Sequence, residues 1–159
     1  MTTRRQFLQT GLAGGLLLNI AGCTRPSANG RRGTVIAAIA PVMLAGALGQ
    51  EEREAAIART VAGVETAIAG LALPVQEEIG ELFDLLAFTP TRALAAGLWT
   101  DWAQATPGEI RAFLENWRHS RFDLLKSGYA ALHDLIFGAW YAIPENWPGI
   151  GYPGPPEVK

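Results

Sequence analysis

Between residues 51 and 142 the apolar side chains recur at spacings of three and four, and prolines fall only where one such stretch hands over to the next. Ile57, Val61, Val64 and Ile68 share one helical face. So do Val75, Ile79, Leu82, Phe83 and Leu86 after Pro74, and Ile110, Phe113, Leu114 and Trp117 after Pro107. The pattern resumes after Arg118–Arg121 with Phe122, Leu125, Tyr129, Leu132 and Ile136, either as a second helix or as one bent helix. This period is that of an amphipathic helix, which hides one stripe and wets the other. No segment alternates as a half-buried strand does, and no Asn-Gly or Asp-Gly turn joins two β-rich runs. The chain is therefore expected to be all-α, a small bundle of about five or six helices with apolar stripes facing one core.

The ends of these helices are also written locally. Acidic residues open the stretch from Glu51 to Ala69, and Gly70 follows it as a candidate C-cap. Pro74 suits the first turn of the next helix, and Pro90 marks a break before a short helix over Thr91–Trp99. Thr106-Pro107-Gly108-Glu109 has the form of a capping box, with a hydroxyl for the cap, a proline in the first turn and a carboxylate that reaches back. Thr34–Leu48 is almost wholly apolar, with Pro41 inside it. About 20 apolar residues are needed to span a bilayer, so this stretch reads as a core helix broken or kinked at the proline; a second, membrane-associated helix is the alternative.

The N-terminus has a different logic. Arg4 and Arg5 precede a polar Gln6 and then Phe7 and Leu8, the order of a twin-arginine export motif. A short apolar run, Gly11–Ala21, follows and ends on small residues. A basic start, a short apolar middle and a small-residue end make a signal peptide, expected over residues 1–22. Ile20-Ala21-Gly22-Cys23 resembles a lipobox, so Cys23 is the expected lipidation site; an ordinary cleavage site with an incidental cysteine is the alternative. Residues 23–33 are rich in Gly, Pro, Ser and Arg and read as a flexible tether. The helical domain is expected over 34–142 and a distinct tail over 143–159.

Cys23 is the only cysteine of the chain, so no internal disulfide forms. Charge is nearly balanced, 13 basic against 15 acidic residues, which gives no electrostatic footprint for nucleic acid or anionic lipid. Catalytic constellations are not found. His119 and His133 have no Cys or His partner at ligand spacing, no Gly-x-Ser-x-Gly occurs, and no glycine loop leads into a helix outside the leader. Glu77, Glu78 and Glu81 read as a solvated helix face. The chain is expected to have no catalytic residues, no bound metal and no cofactor of its own.

All five tryptophans and all three tyrosines lie from Trp99 onward. Trp102, Trp117 and Trp140 fall on helical apolar faces and read as core. From Ile143 the prolines exclude an α-helix and favour an extended path. A free tail would be polar, yet this one carries Trp147, Ile150, Tyr152 and Pro153. These four are the expected docking residues, for a partner or for the chain's own body.

The leader, the helical body and the run Trp147-Pro148-Gly149-Ile150-Gly151-Tyr152-Pro153-Gly154 resemble the gluconate 2-dehydrogenase subunit 3 family, the small subunits of membrane-bound dehydrogenases. The tail and leader carry the resemblance; the middle shares only size and helicity, and the family's Tyr-Gly-Gly-Asn element is absent. The resemblance implies a partner, a large FAD-bearing subunit of the glucose-methanol-choline oxidoreductase type, often with a cytochrome c subunit. It implies further that the flavin subunit folds in the cytoplasm and is exported to the periplasm on the small subunit's twin-arginine leader. A stand-alone periplasmic lipoprotein with a binding or scaffolding role is the alternative.

Overall fold

The computed structural model describes residues 28–49 and 52–155; Arg4, Arg5, Phe7, Leu8 and Cys23, with the export and lipidation roles expected of them, lie outside the described residues. Helix α1 (Ala28–Met43) is the hub, and it touches all four other long helices. Val35, Ile36, Ile39, Ala40 and Leu44 are buried along it, which makes the 34–48 stretch a core helix. Pro41 falls in its last turn, so the helix ends two residues later instead of kinking midway. The proline removes one N–H, yet the Leu44 N–H still reaches the Ala40 carbonyl at 2.9 Å. No helix among the described residues is long and apolar enough to cross a membrane.

Residues 28–33 were expected in the flexible tether but form the first turns of α1. The cause is tertiary. The Arg32 guanidinium makes a two-point ion pair with Glu65, its Nε at 2.8 Å from Oε1, and lies over the Phe83 ring at 5.9 Å. A Cβ on Gly33 would sit 3.4 Å from Val61. Contacts of this kind override the poor helix propensity of a Gly-Arg-Arg-Gly segment.

Helix α2 (Arg53–Ala69) runs antiparallel to α1 and buries Ala56, Thr60, Val64 and Ile68. Thr60 is wholly inside, its hydroxyl donating to the Ala56 carbonyl at 2.9 Å. Ile57 and Val61, expected on the buried face, are only half-buried. Gly70 caps the helix as expected, but at φ −83 it uses no left-handed conformation. Helix α3 (Leu73–Ala87) starts with Pro74 in its first turn and buries Ile79, Phe83 and Leu86.

The expected short helix after Pro90 is present in an unusual form. A turn at Thr89–Thr91 runs into a π-helical segment, Arg92–Ala96, closed by Gly97 at φ 66. The wide turn is held from outside. Buried Arg92 donates to the Leu98 carbonyl at 3.3 Å and to Asp101 Oδ1 at 2.8 Å, and the Trp117 indole donates to the Ala95 carbonyl at 2.8 Å. A π-helical turn leaves carbonyls without their ordinary partners, and Trp117 supplies one.

Helix α4 (Pro107–Arg118) opens on the expected capping box: Glu109 N–H donates to Thr106 Oγ1, and Thr106 N–H donates to Glu109 Oε2 at 2.8 Å. Its face of Ile110, Phe113, Leu114 and Trp117 is buried. Trp102, Phe113 and Trp117 stack edge-to-face at 5.7 and 4.9 Å. Helix α5 (Asp123–Tyr141) is separate from α4, and the Phe122 N–H between them donates to Ser120 Oγ at 3.1 Å. Trp102, Trp117 and Trp140 are all core residues, and the described residues form an all-α bundle without strands.

Candidate interaction surface

The end of α5 leads directly into the tail, and the tail is folded rather than extended. Two 3-10 turns, Pro144–Asn146 and Pro148–Ile150, replace the polyproline-like path expected for the segment. Proline fixes φ near −65°, a value that suits both; what selects the turn is ψ, set here by contacts to the bundle. Asn146 is buried, and its Nδ2 donates to the Trp140 carbonyl at 2.8 Å. The Trp147 indole N–H donates to the Tyr141 carbonyl at 2.8 Å. Both bonds use carbonyls at the C-terminus of α5, which have no partner within the helix. Gly149 approaches the Ala47 carbonyl just beyond α1, where a Cβ would lie 3.9 Å from the oxygen.

The chain then turns back on Trp147. Gly151 at φ 74 makes the reversal, and the Tyr152 N–H returns to the Trp147 carbonyl at 3.1 Å. The Tyr152 ring stands edge-on to Trp147 at 5.3 Å. A Cβ on Gly154 would lie 3.3 Å from the Trp147 ring, and φ 102 there also favours glycine. Pro144, Trp147, Pro148, Gly151, Tyr152 and Pro153 surround an open cleft of about 360 Å³. Of the four residues expected to dock, Trp147, Tyr152 and Pro153 meet at this cleft. Ile150 stands outside it, 42% exposed. Glu145 is the only charged side chain between Ile143 and Pro155, so the surface is apolar with hydroxyl and carbonyl groups at its rim.

Sequence reasoning did not find the feature that extends this surface. Tyr129, His133, Phe137 and Tyr141 follow at four-residue intervals on α5 and form a ladder, with ring centroids 6.1, 4.4 and 5.9 Å apart. The ladder ends at Tyr141, whose carbonyl holds Trp147. His133 is part of the stack and hydrogen-bonds the neighbouring Asp134 at 3.0 Å. The i, i+4 spacing was the available signal. The ladder leads along α5 to the residue whose carbonyl holds the tail, and both are rich in the aromatic residues that mark protein interfaces.

Elsewhere, His119 pairs with Glu115 at 3.2 Å one helical turn away. Among the described residues no group of three or more His, Cys, Asp or Glu is placed to hold a metal ion. Glu109 has its carboxyl held below the usual range by the hydrogen bonds from the Thr106 backbone and hydroxyl and from Thr100. It serves the helix start. Comparison of the chain with family models, curated proteins and solved structures gives no match, and the surface is characterised by its geometry alone.

Proposed function

We propose that this chain is the non-catalytic small subunit of a membrane-bound, FAD-dependent sugar or alcohol dehydrogenase in the periplasm. In this reading Arg4, Arg5, Phe7 and Leu8 form the address, and the folded flavin subunit of the glucose-methanol-choline type is the passenger on the twin-arginine route. Cys23 takes the lipid that anchors the complex, and the FAD belongs wholly to the partner; a cytochrome c subunit completes the electron path.

One observation carries the reading furthest. The tail is a shaped, mostly apolar aromatic knob, with Glu145 the one charge among its described residues, pinned to the end of α5 by Trp147 and Asn146 while Tyr152 remains 44% exposed. Apolar groups left at the surface in a fixed geometry lose little entropy on association, which favours a docking role. A passenger also accounts for the export route, since a small domain without a cofactor gains nothing from leaving the cytoplasm folded.

The test is affinity purification of the full-length tagged chain from detergent-solubilised membranes of its own host. Co-elution of a large subunit with flavin absorbance is the expected result. Recovery of the chain alone, as a stable monomer, would replace this reading with the stand-alone lipoprotein.

A further inference from the structure

The cleft of the tail selects its ligand by what it withholds. Pro144, Pro148 and Pro153 have no N–H to offer. The other three backbone donors around the cleft are spent inside the tail: Trp147 N–H on the Pro144 carbonyl, Gly151 N–H on the Pro148 carbonyl and Tyr152 N–H on the Trp147 carbonyl, each at 3.1 Å. The Trp147 indole N–H is spent on Tyr141. A peptide that adds as a strand needs a row of open N–H and C=O groups, so this cleft does not take one. What it does offer is two aromatic rings set at 68° with centroids 5.3 Å apart, beside an open space of about 360 Å³. It offers one donor as well, the Tyr152 hydroxyl, which bonds to no other described residue. The one charge nearby is Glu145, exposed and next to Pro144 in the first turn of the tail.

We infer that the cleft binds a proline-rich segment of the partner chain, in polyproline II conformation and with a basic residue beside the prolines. Such a helix makes no internal hydrogen bonds and keeps its backbone solvated, so it asks no ladder of N–H groups from its receptor. Its rings are apolar and already fixed in geometry, and they fill the angle between Trp147 and Tyr152 with little loss of entropy. Its carbonyls are acceptors, and the Tyr152 hydroxyl is the donor that meets one. The receptor side is equally fixed, because Gly151 at φ 74 and the bonds from Asn146 and Trp147 to the end of α5 shape the cleft before any ligand arrives. Glu145 sets the sign of the flanking residue. It also disfavours the nearest candidate in the chain itself, Pro155-Pro156-Glu157-Val158-Lys159 of a second copy, where an acid directly follows the prolines and would meet Glu145. The inference rests on the reading of the tail as the docking surface for the flavin subunit, and adds the chemistry of the segment that docks.

The test is binding of fluorescent peptides to the full-length chain in detergent, followed by anisotropy. The peptide Arg-Pro-Pro-Pro-Pro-Pro should bind, and Arg-Ala-Ala-Ala-Ala-Ala roughly tenfold more weakly. Exchanging the Arg of the proline peptide for Glu should weaken it about threefold, and Glu145→Gln should abolish that difference. Tyr152→Phe keeps the ring and removes the donor, and should weaken the proline peptide by about threefold to tenfold. Equal affinity for the proline and alanine peptides, or binding of neither, overturns the inference, as does tighter binding of Pro-Pro-Glu-Val-Lys, which assigns the cleft to a second copy. The co-purified complex separates this outcome from the proposed function. The cleft should be occupied there and the proline peptide excluded. Binding of the peptide to the complex as tightly as to the free chain overturns the inference while co-elution of the flavin subunit upholds the subunit reading. Should no flavin subunit co-elute, the subunit reading fails by itself, and the peptide affinities alone decide the cleft's specificity.

Discussion

The indole N–H of Trp147 donates to the backbone carbonyl of Tyr141 at 2.8 Å, across the boundary between α5 and the tail. This bond ties the last rung of the aromatic ladder to the first residue of the knob. It also satisfies a carbonyl that the helix end leaves open. The ring carries a second load, since Tyr152 and Gly154 both fold back onto it.

Trp147→Ala is accordingly expected to release the tail while leaving the bundle folded. Hydrogen exchange at the Gly151 and Tyr152 amides, which now bond to Pro148 and Trp147, should rise to the rate of open chain, while α1 amides keep their protection. A loss of about 1–2 kcal/mol in global stability is expected, less than for a fully buried tryptophan because the ring is half-exposed. Unchanged exchange at both tail amides would show that the knob does not depend on this residue.

Gly128→Ala tests the packing of α4 against α5. A Cβ at residue 128 would lie 2.6 Å from the Trp117 ring, which is itself held by its bond to the Ala95 carbonyl. Alanine in a helix interior normally adds about 1 kcal/mol of stability over glycine. Here the overlap forces the ring or α5 to move, at a cost of about 1–3 kcal/mol. Net destabilisation is expected, read as a lower midpoint in urea with an unchanged slope. A higher midpoint would mean that α4 and α5 are not in this contact.

The capping box makes a pH-dependent contribution. Glu109 has a folded pKa below its unfolded one because Thr106 and Thr100 hydrogen-bond its carboxylate. Its stabilisation is therefore complete above the ordinary carboxylate value of 4.5 and fades as pH falls through the depressed folded value. Thr106→Ala should cost about 1 kcal/mol at neutral pH. The difference in thermal midpoint between the parent and Glu109→Gln should be constant at neutral pH and shrink in acid. A difference that grows in acid would reverse the sign and contradict this network.

The helices were largely legible because their signals are local. Thr106, Pro107 and Glu109 announce α4 without reference to the rest of the chain, and Pro74 does the same for α3. What escaped depends on partners distant in sequence. Gly30–Gly33 is helical only because Arg32 finds Glu65 and Phe83, and Arg92–Ala96 opens into a π-turn around the Trp117 and Arg92 hydrogen bonds. The tail follows the same rule. Its prolines exclude an α-helix, but the choice between extended chain and 3-10 turns is made by carbonyls at the end of α5. Trp147, Tyr152 and Pro153 were recognisable as too apolar for a free segment, whereas of the ladder from Tyr129 to Tyr141 only Tyr129 fell in the apolar pattern, since burial varies around a helix in a way that spacing alone does not reveal.

The central claim is that the knob holds a flavin-bearing partner. It is tested most directly by the doubly substituted Trp147→Ala/Tyr152→Ala chain, expressed from its own locus with the leader intact, and by measuring protein-bound flavin in the periplasmic membrane fraction. The substituted chain should still reach that fraction, while the bound flavin that depends on it falls at least tenfold and the flavin subunit is left in the cytoplasm. Full export of the flavin subunit alongside a knob-less chain would contradict the account.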